Sequence, residues 1–119
     1  MQKHVFIALT NCVDGGNEEE FNDWYTNVHA RDILKVPGFV KATRYKLSSA
    51  QVMDEHRITH RYLAIYEVES DDIEATLKGL PQNLEELAIA GWQGNENLDV
   101  MGAISLMFTP IASISSEPD

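Results

Sequence analysis

FNDWYTNVHARDILKVPGF, residues 21–39, decides the fold, because it reads as one amphipathic helix running straight into a strand. Asn17, with Glu20 three residues later, makes a capping-box-like start. Glu18 to Glu20 place negative charge on the positive end of the helix dipole. The helix is expected to reach about Leu34, and Pro37-Gly38 stops it. With Phe21 at zero and about 100° per residue, Val28 falls at about 340°, Trp24 at about 300°, Asp32 at about 20°, Tyr25 at about 40° and His29 at about 80°. Phe21 and Val28 are therefore core candidates. Trp24 sits to one side of the stripe, with an indole N–H that wants a polar partner.

Working outward, HVFIALT (residues 4–10) is β-branched and apolar enough for a buried strand, closed by the turn-rich VDGGN. FVKATRYKLS (39–48) and HRYLAIYEVE (60–69) give two more strands, joined by a polar connector. Asp71 or Ser70 caps a second helix, in which Ile73, Leu77, Leu80, Leu84 and Leu87 recur at helical spacing, Pro81 kinks or splits the run, and the end lies near Gly91. LDVMGAISLMFT (98–109) supplies a fourth strand. The order β-α-β-β-α-β is the ferredoxin-like α+β arrangement, with two helices on one face of a four-stranded antiparallel sheet. Residues 1–110 are expected to form one domain, and residues 111–119 a loose tail.

The strands do not alternate cleanly. Val5, Ile7 and Leu9 oppose Phe6 and Ala8, and Leu63 and Ile65 oppose Tyr62, Ala64, Tyr66 and Val68. A sheet with one wet face should alternate apolar and polar residues, so both faces need covers. A second copy is the simplest cover for the face without helices, which predicts a homodimer packed sheet to sheet. Which parity faces the helices stays open at this point.

Composition narrows the partners. The 119 residues are 44% hydrophobic and 24% charged, the profile of an ordinary packed domain. A net charge of -10, with nine scattered Lys and Arg residues, argues against nucleic acid and anionic membranes. No apolar run approaches the roughly 20 residues of a membrane span, and the N-terminal stretch lacks the pattern of a signal peptide. A cytoplasmic protein is expected, consistent with the single Cys12, which reads as a structural thiol.

The run Phe21-x3-Tyr25-x3-His29, followed by V-P-G-F at 36–39 and R-Y at 44–45, resembles the dimeric α+β barrel superfamily, and within it the EthD-like proteins. That likeness implies a sheet-to-sheet dimer with a small-molecule cavity between the first helix and the sheet. Relatives of this kind include cofactor-free oxygenases, polyketide cyclases, lactone isomerases, haem-binding proteins and proteins of no known activity. One position departs from the pattern: EthD-like sequences often carry proline two residues after the histidine, where this chain has Arg31.

His29 and Tyr25 lie on successive turns at the rim of the buried face, and Asp32 is within i,i+3 reach of His29. A carboxylate angled toward an apolar stripe needs a partner; pairing with His29 would orient the imidazole and raise its basicity. On chemistry alone the alternative is a helix that ends early, with Asp32 facing solvent and His29 bound to a backbone carbonyl. Arg44 is an anion partner if its parity points into the cavity, and Tyr45, Tyr62 and Tyr66, with Trp24 and Tyr25, could line it. His56 and His60 match no metal spacing, Gly15-Gly16 lacks the rest of a phosphate loop, and no serine or cysteine has a base beside it, so neither a metal nor a cofactor is expected.

Two classes of function follow. In the first, a cofactor-independent lyase, isomerase, cyclase or oxygenase holds a hydrophobic or aromatic, enolisable molecule, with His29 and Asp32 as catalytic residues and Tyr25, Trp24, Arg44 and Tyr66 as binding residues. In the second, a non-catalytic or stress-linked dimer uses the same cavity for binding. Haem would need a large apolar slot beside a free imidazole nitrogen, and the expectation is a colourless protein.

Overall fold

A computed structural model describes residues 1–117. Strand β1 (Lys3–Thr10) leads to helix α1 (Glu18–Trp24), a π-helical turn (Tyr25–His29) and helix α2 (Ala30–Ile33). Strands β2 (Phe39–Lys46) and β3 (Tyr62–Glu69) follow, then helices α3 (Ile73–Lys78) and α4 (Leu84–Ala90) and strand β4 (Ile104–Phe108). The sheet order is β2-β3-β1-β4, antiparallel throughout, which is the ferredoxin-like α+β fold expected from the order of elements.

Local chemistry explains the boundaries. The Asn17 side chain accepts from the Glu20 N–H at 3.0 Å, satisfying one orphan donor at the start of α1. Gly38 has φ +99°, and a Cβ there would stand 3.2 Å from the Glu69 carbonyl, so the chain can turn into β2 only at a glycine. Pro81 lies between α3 and α4, which are capped by Asp72 and Asn83, so the expected second helix is two helices. Leu84 does not join the buried stripe; it is exposed on α4. The fourth strand begins six residues later than expected, because a turn over 99–103 separates it from Leu98, which pairs with Cys12 alone. Residues 111–115 have no regular structure; the last two residues of the expected tail lie outside the described part.

The core answers the parity question. Phe6 and Ala8 of β1, and Tyr62, Ala64, Tyr66 and Val68 of β3, are buried with Phe21, Trp24, Tyr25, Ala30 and Ile33 from the first helical segment. Pairing of Ala42 with Tyr66 and of Arg44 with Ala64 places those β2 residues on the same, helix-covered face. Odd-numbered positions of β1 and β3, Tyr45 of β2 and the even-numbered positions of β4 form the other face. There Val5 pairs with Phe108, Ile7 with Leu106 and Leu9 with Ile104, and Phe108, Leu106, Ile104 and Tyr45 are exposed. An open sheet face this apolar is unusual for an isolated domain.

Candidate functional site

The helix is not a uniform α-helix, and this rearranges its face. The Ala30 N–H reaches the Tyr25 carbonyl, an i→i+5 bond that inserts one extra residue into the turn. His29 consequently stacks on Trp24, five residues back, with ring centroids 5.0 Å apart and 20° between planes. It also meets Tyr25 edge-on at 4.8 Å and Trp92 at 6.1 Å, so the imidazole sits in an aromatic cage. No hydrogen bond joins either ring nitrogen of His29 to a group among the described residues.

The cage sets the charge state of His29. Burial disfavours the imidazolium and pulls the pKa from 6.5 to about 4; the Asp32 carboxylate opposes this, and the Arg44 guanidinium adds to it. His29 is therefore neutral near pH 7. The expected hydrogen bond between His29 and Asp32 is not made. Asp32 accepts instead from Lys35 Nζ at 3.1 Å, since the π turn moves the following residues around the helix axis. Asp32 acts on His29 only through its field.

Arg44 reaches from β2 into the helix–sheet layer. Its Nη1 donates to the Asn22 carbonyl at 3.3 Å and to Thr26 Oγ1 at 3.0 Å, and its Nη2 to Asn22 Oδ1 at 3.0 Å. The guanidinium carbon lies 4.3 Å from the Tyr25 ring centroid, within cation–π range, with Tyr62 and Phe21 next at 5.7 and 5.8 Å. All of these partners are neutral, and no carboxylate pairs with Arg44 among the described residues. Burial pulls its pKa down, the tyrosines oppose this, and it stays charged. Tyr25 thus contacts His29 on one side and Arg44 on another.

Two buried polar atoms here have no partner among the described residues: Arg44 Nε and the Tyr66 hydroxyl. Burial, then the Tyr25 phenol, pushes the Tyr66 pKa up. Burial also raises Tyr25, so both phenols are neutral donors. Orphaned buried donors cost of the order of 1–3 kcal/mol each, which makes them markers for a bound molecule or water.

Open space flanks Arg44 on both sides. One pocket of about 210 Å³ is lined by Asn22, Arg44, Tyr45, Lys46 and Tyr62. The other, about 280 Å³, is lined by Thr26, Ala30, Arg31, Leu34, Ala42 and Arg44. His29 lines neither. Trp24 also lines neither pocket, and its Nε1 donates to the Gln93 carbonyl at 3.0 Å. Asn22 continues the polar chain by donating to the Tyr62 hydroxyl at 3.3 Å, which in turn donates to Glu18 at 3.1 Å.

Sequence reasoning brought Tyr25, Arg44, Tyr62 and Tyr66 to this layer but missed Asn22, Thr26 and Trp92. The first two lie on the helix faces toward β2, a direction the wheel marks as polar and bland. Trp92 follows Gly91 outside any periodic run, so no pattern flags it. The imidazole contacts three aromatic rings, stays partly exposed and lines neither of these two pockets.

Residues 5–89 match the family model described as a domain of unknown function, DUF4286. The chain belongs to that family. Its fold is shared by MhuD, a heme-degrader from Mycobacterium tuberculosis solved with two hemes in its active site (20% identity, 94% of this chain and 99% of that one, TM-score 0.57). It is shared by SnoaB, a cofactor-independent oxygenase from Streptomyces nogalater (16% identity, 96% and 98% covered, TM-score 0.56). An EthD family protein from Bacillus halodurans matches at 12% identity over 92% of this chain and all of its own, with TM-score 0.56. At such identities these likenesses show the shared ferredoxin-like α+β fold alone. Curated protein sequences give no match.

Proposed function

We propose that this DUF4286 protein is a homodimeric, cofactor-independent enzyme that binds a small hydrophobic or aromatic, enolisable molecule between the first helix and the sheet and moves a proton on it through His29. The observation that carries the reading is the state of His29: a neutral imidazole, partly exposed, whose nitrogens are taken by no protein group among the described residues. A base with a pKa of about 4 is weak, so it can deprotonate a carbon acid only if the resulting enolate is stabilised. Arg44, a cation on the same tyrosine ring and without a carboxylate partner, supplies that stabilisation. Tyr25 and Tyr66, buried in the same layer, are neutral phenols and thus hydrogen-bond donors. The dimer rests on the exposed apolar face of the sheet, which a second copy of the same face would cover.

A specific observation favours a second reading, a binding protein without catalysis: the cage that keeps His29 neutral also lowers its basicity. Exchange of the α-protons of 2-tetralone in D2O, followed by proton NMR, separates the two. The enzyme reading expects exchange above the buffer rate, falling by roughly 10² to 10⁴-fold in His29→Gln while the fold survives. Binding of the ketone without exchange would establish the second reading and reject the first.

A further inference from the structure

The 280 Å³ pocket beside Arg44 brings in residues that the proton-transfer reading does not use, Arg31 above all. Its floor is Ala30 and Ala42, two small residues that leave room, and Leu34 adds an apolar wall. Two guanidiniums, Arg31 and Arg44, and the Thr26 hydroxyl supply its polar side. Neither arginine has a carboxylate partner among the described residues, and Asp32, the acid adjacent to Arg31, is occupied by Lys35. In a chain of net charge -10, two unpaired arginines on one concave surface are a local inversion of the protein's field. They come from different elements, Arg31 from α2 and Arg44 from β2, so the fold and not a run of sequence brings them together.

We propose that this pocket binds the carboxylate of a small acid with an apolar body, the acid group lying between Arg31 and Arg44 and the body on Ala30, Leu34 and Ala42. A carboxylate is chosen because guanidiniums pair with planar oxyanions through parallel N–H donors. A multiply charged phosphate ester fits less well, since three of the lining residues are apolar. The proposal rests on the reading of the helix–sheet layer as a ligand site and gives its ligand a charge class. Arg31, at the position where the sequence departs from its EthD-like relatives, becomes a specificity residue that sets acidic against neutral ligands.

The test uses benzoate as probe and benzamide as its neutral isostere, with amide NMR shifts of the full chain as readout. Benzoate is expected to perturb the amides of Thr26, Ala30, Leu34 and Ala42, with benzamide at least 10-fold weaker. In Arg31→Gln, an exposed position whose side chain makes no hydrogen bond or ion pair among the described residues, benzoate affinity falls roughly 10-fold and the benzamide response is unchanged. Salt at 0.5 M weakens benzoate selectively. Equal binding of the two probes, shifts confined to other residues, or unchanged benzoate affinity in Arg31→Gln would each overturn the proposal. Proton exchange on 2-tetralone needs no carboxylate, so it reports on the His29 reading independently of this outcome.

Discussion

The charge state of His29 has a thermodynamic consequence that can be measured without a substrate. In the unfolded chain the imidazole titrates at its ordinary value of 6.5, whereas in the folded protein it takes a proton only at about 4. Between those values the unfolded state binds more protons than the native state, so stability rises with pH. The contribution is fully present above pH 6.5, is lost progressively as pH falls toward 4, and changes no further below that. A difference of about 2.5 pKa units corresponds to roughly 3 kcal/mol for one chain. Most of this comes from burial in the cage of Trp24, Tyr25 and Trp92 rather than from Arg44, since desolvation is the largest cause.

Other groups titrate over the same range, so the quantity to measure is a difference between variants. Urea unfolding of the parent and of His29→Gln at pH 7.5, 6, 5 and 4, at one fixed protein concentration, isolates the histidine. The parent should lose about 3 kcal/mol more than the Gln variant over this span, an excess midpoint shift of the order of 1–3 M urea for a domain of this size. Between pH 7.5 and 6.5 the two profiles should run parallel. If they stay parallel down to pH 4, His29 titrates normally, the cage is open to water in solution, and the neutral-imidazole reading fails.

Two further outcomes follow from packing. Leu106→Asp puts a charge in the centre of the exposed sheet face, paired with Ile7, and should convert a dimer to a monomer in light scattering at micromolar concentration; a parent that is already monomeric refutes the sheet-to-sheet dimer. Phe21→Ala removes a ring with no exposed surface and should cost about 3–5 kcal/mol in denaturant unfolding, against a change below about 1 kcal/mol for His29→Gln at pH 7.5.

Much of the fold was legible because period and punctuation agreed. Val5 to Thr10, Tyr62 to Glu69 and the Pro37-Gly38 stop all carry strong local signals, and β-α-β-β-α-β permits few topologies. What failed was local. The split expected at Pro81 is there, but Asn83 caps a separate helix, so the leucine spacing from Ile73 to Leu87 spans two axes and Leu84 ends up in solvent. Strand parity was unreadable for a physical reason: the outer face is itself apolar, so hydrophobicity cannot say which side the helices cover. Only the register does, by setting Ala42 and Arg44 opposite Tyr66 and Ala64.

The site was legible in its members but not in their pairings, and the π turn is the cause. A helical wheel assumes 3.6 residues per turn and therefore sets His29 over Tyr25 and within reach of Asp32. An i→i+5 bond from Ala30 to Tyr25 breaks that count once, at the residues where it matters. No residue in YTNVH announces such a bond, since π turns have no side-chain signature comparable to a cap or a proline. The extra residue carries His29 back onto Trp24 while Asp32 turns to Lys35, so the acid that would have raised the histidine's basicity is replaced by an indole face that lowers it. Arg44 was found by motif and placed by the strand register, and of its partners Asn22 lies in α1 and Thr26 in the π turn. The chemistry of this layer is thus set by one inserted backbone residue, which turns a carboxylate–imidazole pair into a neutral imidazole facing a tyrosine that also carries an unpaired guanidinium.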